Sequence, residues 1–319
     1  MKRREFLGYL AGGLAAATFA GKEGLLLGRM RHQRRPRHIS HAEYLLSQRI
    51  GVSSWSFHNY FPQTRSSDYT GPHQTFALLD FPGMIADRYK VHHLEIVAPH
   101  FASTEPVYLD ELRRQLVRAR SYLVNLPVDI KELSTGGGLS DPSESVRNAA
   151  VEAAKTWIDI AAHLRARSVR CDPGKMDPQD LRPTIDSYKK LVEYSSRRGI
   201  RVIVENHGGV GSEHPEDLVR LFKSVNSSYL GSLPDFSNFP DANTRARGLE
   251  LLFPYASIAC HAKGLEFDAQ GNETEYNFPR CVEIAKQKNF RGVYSVEFEG
   301  PGDPYQGVQD VINELLREA

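Results

Sequence analysis

Cysteine is scarce in this chain of 319 residues: Cys171, Cys260 and Cys281 are the only three. They are odd in number and form no C-x-x-C pair, which argues against a disulfide framework and against a thiolate metal site. Net charge is almost absent as well, at a formal +1. That balance conceals an asymmetry. Residues 1–38 hold nine of the 40 basic and two of the 39 acidic side chains, which leaves 31 and 37 for the remainder. A body with an excess of negative charge is a poor general binder of phosphate backbone, so nucleic acid is not expected as a partner. Long apolar runs are missing too. The Gly/Ala-rich stretch near the N-terminus is short and is interrupted by Lys22 and Glu23, which makes it a weak membrane span. No glycine-rich phosphate turn follows the first strand-like segment, and the GGG of residues 136–138 lacks a following Lys-Ser/Thr.

What is present is a regular alternation. Hydrophobic content of 40% and charged content of 25% are ordinary for a globular chain. From residue 50 onward, strand-like segments begin near Ile50, His93, Val124, Ser168, Arg201, Tyr229, Ser257 and Gly292. Each is followed by a helix-like segment. Apolar residues recur at three- and four-residue intervals over 107–122, 143–164 and 180–198. Eight βα units in about 270 residues predict a single-domain (β/α)8 TIM barrel spanning 48–319. Two loops stand out. Residues 57–75 are long for a barrel loop and are read as a lid or an interface, and 134–145 as a flexible loop.

Four single residues carry the chemistry. Glu205, Asp235, His261 and Glu297 each end a short apolar run: RVIVE, LGSLPD, SIACH and YSVE. Strand ends at one repeating βα period converge on one point in a closed parallel barrel. Three carboxylates and an imidazole there form an O/N ligand set for one divalent ion. Mn²⁺ suits it best, with Mg²⁺, Co²⁺ and Zn²⁺ compatible. Strand alternation turns Lys263 inward with His261, turns Cys260 outward, and places His207 on the face of Glu205. Lys263, His207, Glu95 and Asn238 are candidate contacts to substrate hydroxyls. Salt bridging by Lys263 to Glu299 or Glu266, and a structural ion pair for Glu95, are the competing readings. Trp55, Phe57, Phe101, Phe236 and Phe239 are candidate apolar walls for a bound ligand. His92, His93 and His100 resemble a metal cluster by composition, but the first two precede the strand.

The N-terminus reads MKRREFLGYLAGGLAAATFAG. A basic start, a moderately apolar stretch and small residues have the form of a targeting segment over 1–28, and Arg3-Arg4-x-Phe6-Leu7 is similar to the twin-arginine export signal. The expectation is export to the periplasm through the twin-arginine machinery, or retention at the membrane by an uncleaved segment. Residues 29–47 read as a basic linker.

The run VENHGG around Glu205, PDFSNFP around Asp235, HAKG at His261 and YSVEFEG around Glu297 resemble, in order and spacing, the sugar isomerase/epimerase superfamily. This is the xylose-isomerase-like TIM barrel group, which includes ketose 3-epimerases, inosose dehydratases and endonuclease IV. The resemblance covers roughly 48–318. It implies that Glu205, Asp235, His261 and Glu297 bind one Mn²⁺ or similar ion, and that Glu205 and Glu297 serve as the acid and base that move a proton beside a metal-bound carbonyl through an enediolate. The chain departs from many members at Asn238, where they have histidine. The stretch EFDAQGNETEY after His261 has no histidine, unlike the multi-zinc endonucleases. The expected activity is therefore epimerisation or isomerisation of a ketose or keto-sugar. A lyase or dehydratase acting on a keto-sugar or keto-glycoside is the alternative, and a non-catalytic sugar-binding barrel the third reading. A homo-oligomer is compatible with all three.

Overall fold

The computed structural model describes residues 40–71 and 74–318. The segment read as an export signal and most of the basic linker lie outside the described residues. Among those described, no helix is long and apolar enough to cross a membrane.

Eight parallel strands form one curled sheet: β1 Ile50–Ser53, β2 His93–Glu95, β3 Tyr122–Pro127, β4 Ser168–Arg170, β5 Arg201–Glu205, β6 Leu230–Leu233, β7 Ala259–Gly264 and β8 Val293–Phe298. Hydrogen bonding runs in the order β6-β5-β4-β3-β2-β1-β8-β7. The two edges meet at a single parallel bridge between Asp235 and His261. There the His261 amide donates to Pro234 O (2.9 Å) and the Phe236 amide to His261 O (3.2 Å). Pro234 has no N–H to give to a ladder, so β6 stops just before it and the seam stays short. The fold is the expected (β/α)8 barrel.

Alternation along the strands sorts side chains into two layers. Ile203, Leu233, Ala259 and Val293 belong to a small apolar cluster, and Glu205, Asp235 and His261 follow the first three by two residues on the same face. Residues of opposite parity, such as Val202, Val204, Cys260 and Val296, join the large core between strands and helices. All three cysteines are buried and unpaired.

Helix starts are marked in the chain. Proline occupies the first turn of Phe81–Tyr89, Pro106–Arg118, Arg182–Ser196, Pro215–Val225, Phe278–Gln287 and Pro304–Arg317, where its missing N–H costs nothing. Helix ends are less visible. The period predicts a helix over 107–122, but the helix ends at Arg118 and β3 already begins at Tyr122. Arg120 adopts a left-handed φ of 54° that turns the chain into the strand. Lys90, Arg165, Asn226 and Asn289 do the same before β2, β4, β6 and β8.

Two further expectations change. Part of the presumed linker is a helix, His41–Ser47, closed by a capping box between Ser40 and Glu43, and its Leu46 packs into the core. The 134–145 stretch is packed rather than flexible: Ser140 Oγ donates to Pro173 O (2.7 Å) and accepts from Thr184 Oγ1 (2.8 Å). Gly138 has φ +60°, and a Cβ there would lie 2.1 Å from Leu133 O, so only glycine fits.

Candidate metal and active site

The four strand-end residues come together. Glu205, Asp235, His261 and Glu297 are all buried, and one ligand atom from each lies within 4.8 Å of the others. His261 Nδ1 is 3.1 Å from Glu205 Oε1, 3.4 Å from Glu297 Oε2 and 3.5 Å from Asp235 Oδ2. Its other nitrogen, Nε2, donates to Glu95 Oε1 at 2.8 Å. That bond fixes the ring and turns Nδ1 toward the three cluster carboxylates. Glu95 in turn accepts from Asn125 Nδ2 (2.8 Å), whose Oδ1 accepts from Ser168 Oγ (2.8 Å). Glu95, read as a substrate contact, is thus 1% exposed and engages His261 instead.

Asp235 is oriented by its own turn. Its Oδ1 accepts from the amides of Ser237 (2.7 Å) and Asn238 (2.8 Å). Its Oδ2 is buried and has no hydrogen-bond partner among the described residues. Apart from the Lys263 ammonium at 3.3 Å, that oxygen faces two other carboxylates and His261 Nδ1, a poor arrangement for protein alone. It fits a hard divalent cation, so the residues present suit such an ion.

Two buried cations hold the acids apart. Lys263 Nζ is 3.1 Å from Glu297 Oε2 and 3.3 Å from both Asp235 Oδ2 and Glu299 Oε1. It also donates to Asn238 Oδ1 (3.4 Å). Both proposed roles of Lys263 therefore meet at one place, since the Glu299 bridge forms and the ammonium also faces the centre. Arg170, at the end of β4, pairs with Glu205, Asp129 and Asp172. Sequence reasoning missed Arg170, Asp129 and Asp172. Their only signal was a charged side chain closing the short strand SVR.

The two glutamates differ electrostatically. Burial pushes Glu205 up, but Arg170 and His261 outweigh it and hold its carboxyl well below the usual range. Burial pushes Glu297 up to about 7, with His261 and Lys263 opposing. Glu205 is further held by Asn238 Nδ2 (2.9 Å), and Glu297 Oε1 accepts from Ser53 Oγ (3.3 Å). His207 is 55% exposed beside Glu205, and hydrogen bonding to Asp172, with Glu205 nearby, raises it to about 9.

The remaining candidates divide. Trp55 is partly exposed, and its Nε1 donates to Glu299 Oε1 (2.5 Å). Phe57 is 1% exposed within a cluster that includes Phe81 and Tyr305. Phe236 packs on Phe253 and Phe278, and Phe101 on Trp157. Phe236 and Phe101 are core, whereas Phe57 is packed in its cluster and also edges a cavity between the β1 and β8 loops. His100 is not a ligand: it lies between Ser54 and Thr64 Oγ1, stacked on Phe61. A cavity of about 410 Å³ opens beside Glu205 and is lined by Asp129, Lys131, Asp172 and His207. A larger one, about 970 Å³, lies between the β1 and β8 loops and touches this charge network through Glu299. The smaller cavity is the one that reaches a cluster carboxylate. The described part of the 57–75 loop forms one wall of the larger one, with Arg65 donating to Asn59 O and Gln74 O.

Comparisons with known proteins agree with this architecture. A profile of the xylose isomerase-like TIM barrel family matches residues 89–318, and the chain belongs to that family. No curated protein matches the sequence. Among solved structures, a xylose isomerase domain protein from Planctomyces limnophilus superposes with a TM-score of 0.63 at 14% identity, covering 85% of this chain and 96% of that one. A D-tagatose 3-epimerase-like protein gives 0.63 at 22% identity, with 84% and 97% covered. The 3-keto-D-glucoside 4-epimerase of E. coli gives 0.59 at 15% identity, with 84% and 98% covered. At these identities the likeness is one of fold.

Proposed function

We propose that the protein is a divalent-metal-dependent epimerase or isomerase of a ketose or keto-sugar. The observation that carries this reading is the convergence of Glu205, Asp235, His261 and Glu297 within 4.8 Å, with Asp235 Oδ2 buried and making no hydrogen bond among the described residues. A divalent ion held by these four would act as a Lewis acid, drawing charge from a carbonyl oxygen and making the neighbouring C–H acidic. Glu205 and Glu297 come from β5 and β8, so their carboxylates approach a bound sugar from different sides. One removes the proton and the other returns it. Arg170 and Asn238 hold Glu205, Lys263 and Ser53 hold Glu297, and Glu95 keeps the His261 ring in place. His207 and Asp172, at the cavity wall, orient hydroxyl groups. Mn²⁺ is the proposed ion, and export through Arg3-Arg4 the proposed route, tested by fractionating an Arg3→Lys, Arg4→Lys variant.

The test is incubation of metal-loaded protein with a panel of keto-sugars in D₂O. Deuterium uptake at carbon without loss of mass is expected. Loss of water or aglycone would make the enzyme a lyase, and neither change would make it a binder. Glu205→Gln and Glu297→Gln should each retain measurable metal but lose on the order of 10²–10⁴-fold in turnover. Near wild-type turnover in both variants, with metal bound, would show that the proton moves by another path.

A further inference from the structure

We propose that the substrate is a neutral sugar, free of phosphate and carboxylate groups; this rests on the sugar epimerase or isomerase reading above. Recognition of a phosphate ester requires unengaged cations, or a helix N-terminus with free amides. In (β/α)8 barrels such a receptor is frequently built from the loops after the seventh and eighth strands and an adjoining helix N-terminus. Here the segment after β7, residues 265–277, contains Glu266, Asp268, Glu273 and Glu275 and neither lysine nor arginine. The segment after β8, residues 299–303, contains Glu299 and Asp303 and again no cation. The helix that follows, Pro304–Arg317, already has an anion at its N-terminus, because the Asp303 carboxylate accepts from the Tyr305 amide (3.0 Å).

The cations at the strand ends are engaged as well. Arg170 is surrounded by Asp129, Asp172 and Glu205, and Lys263 by Asp235, Glu297 and Glu299. His207 faces Asp172 at 3.4 Å. Glu95 lies behind His261, so seven carboxylates meet two permanent cations. Even with a dication bound and His207 protonated, the formal charge stays negative. In the lining of the 410 Å³ cavity, Lys131 is the one cation with no ion pair among the described residues, and it is exposed. One exposed lysine among Asp129, Asp172 and Glu205 does not make a dianion receptor. Those same acids are good acceptors for sugar hydroxyls, which are donors, and the cavity volume suits a small ligand.

The experiment uses full-length protein carrying one equivalent of Mn²⁺. Free five- and six-carbon ketoses (ribulose, xylulose, fructose, tagatose, psicose) are compared with their terminal phosphate esters by calorimetry and by deuterium exchange at carbon. At least one free ketose should bind and exchange at least tenfold better than its ester, inorganic phosphate should not compete, and added salt should narrow the gap by screening repulsion. Asp129→Asn removes one of the carboxylates around Arg170 and should raise affinity for the esters about three- to tenfold. Esters that bind as well as or better than the free sugars, with affinity falling as salt rises, would overturn the proposal while leaving the sugar-enzyme reading intact. Absence of binding and exchange with every ketose and ester would overturn both.

Discussion

Lys263 is placed where a metal would compete with it. Its ammonium approaches Asp235 Oδ2 and Glu297 Oε2, two of the oxygens available to an ion. Lys263→Met should therefore raise affinity for Mn²⁺ about tenfold in a chelator competition, because the ion no longer displaces a resident charge. The same variant leaves buried carboxylates unpaired, so the chelated protein should lose on the order of 3–5 kcal/mol and regain much of it when Mn²⁺ is added. Unchanged affinity would mean that Lys263 and the ion occupy independent positions. His100 gives a pH prediction. Burial, with His58 adding to it, lowers its pKa to about 3, so in acid the unfolded chain takes up the proton first. Its contribution is present above about pH 6.5 and lost as pH falls toward 3, with roughly 2 kcal/mol gone by pH 5. The fall in Tm between pH 7 and pH 5 should be smaller in His100→Gln than in the wild type. The four cluster residues were legible because each closes an apolar strand run, and i, i+2 alternation turned Lys263 inward and Cys260 outward. Arg170 was not, because β4 has only three residues and Asp129 lies 41 positions away. Nor was the Glu95–His261 bond, which joins residues 166 apart. Phe57 is both packed and at a cavity edge, because the turn Ser54–Tyr60 directs it against Phe81 beside the larger cavity.

The segment between β7 and the next helix is fastened by two acids. Glu273 accepts from the amides of Leu265 (2.6 Å) and Glu275 (2.9 Å), while its own amide donates to Glu314 Oε2 (3.1 Å) on the helix Pro304–Arg317. Burial raises Glu314 to about 7, with the hydrogen bond from Glu273 opposing. A raised carboxyl favours the folded state when protonated. Its contribution is full below about pH 4.5 and disappears as pH rises through about 7. Glu314→Gln keeps an acceptor for the Glu273 amide and removes the titration. It should be more stable than wild type at pH 8, by up to about 3 kcal/mol, and close to it at pH 4. Equal stability at both pH values would mean that Glu314 titrates alike in the folded and unfolded chain. Strands and helix cores were legible because apolar period and proline placement are local properties. Helix ends were not, because Arg120, Arg165 and Lys90 take left-handed conformations with side chains that give no sign of it. The helix His41–Ser47 was hidden in a basic stretch, since its stability comes from the Ser40–Glu43 box and from Leu46 docking on the core.

The barrel closes through its own candidate ligands. β6 and β7 are joined at Asp235 and His261, whereas every other neighbouring pair shares a ladder of at least three residue pairs. An ion bound to both side chains would tie the two edges together as well as serve chemistry. Binding to the folded state alone stabilises it by about 2.7 kcal/mol at a free ion concentration 100 times Kd, so Mn²⁺ should raise Tm by several degrees over chelated protein. The increase should disappear in His261→Ala and Asp235→Ala. Its distribution is the sharper test. If the ion secures the seam, hydrogen exchange should slow most at the amides of His261 and Phe236, which bond across it to Pro234 O and His261 O. Amides in the β2–β3 and β3–β4 ladders, away from the seam, should change less. Protection spread evenly over all eight strands would mean that the ion stabilises the fold only by mass action, with the closure already secured by the surrounding helices.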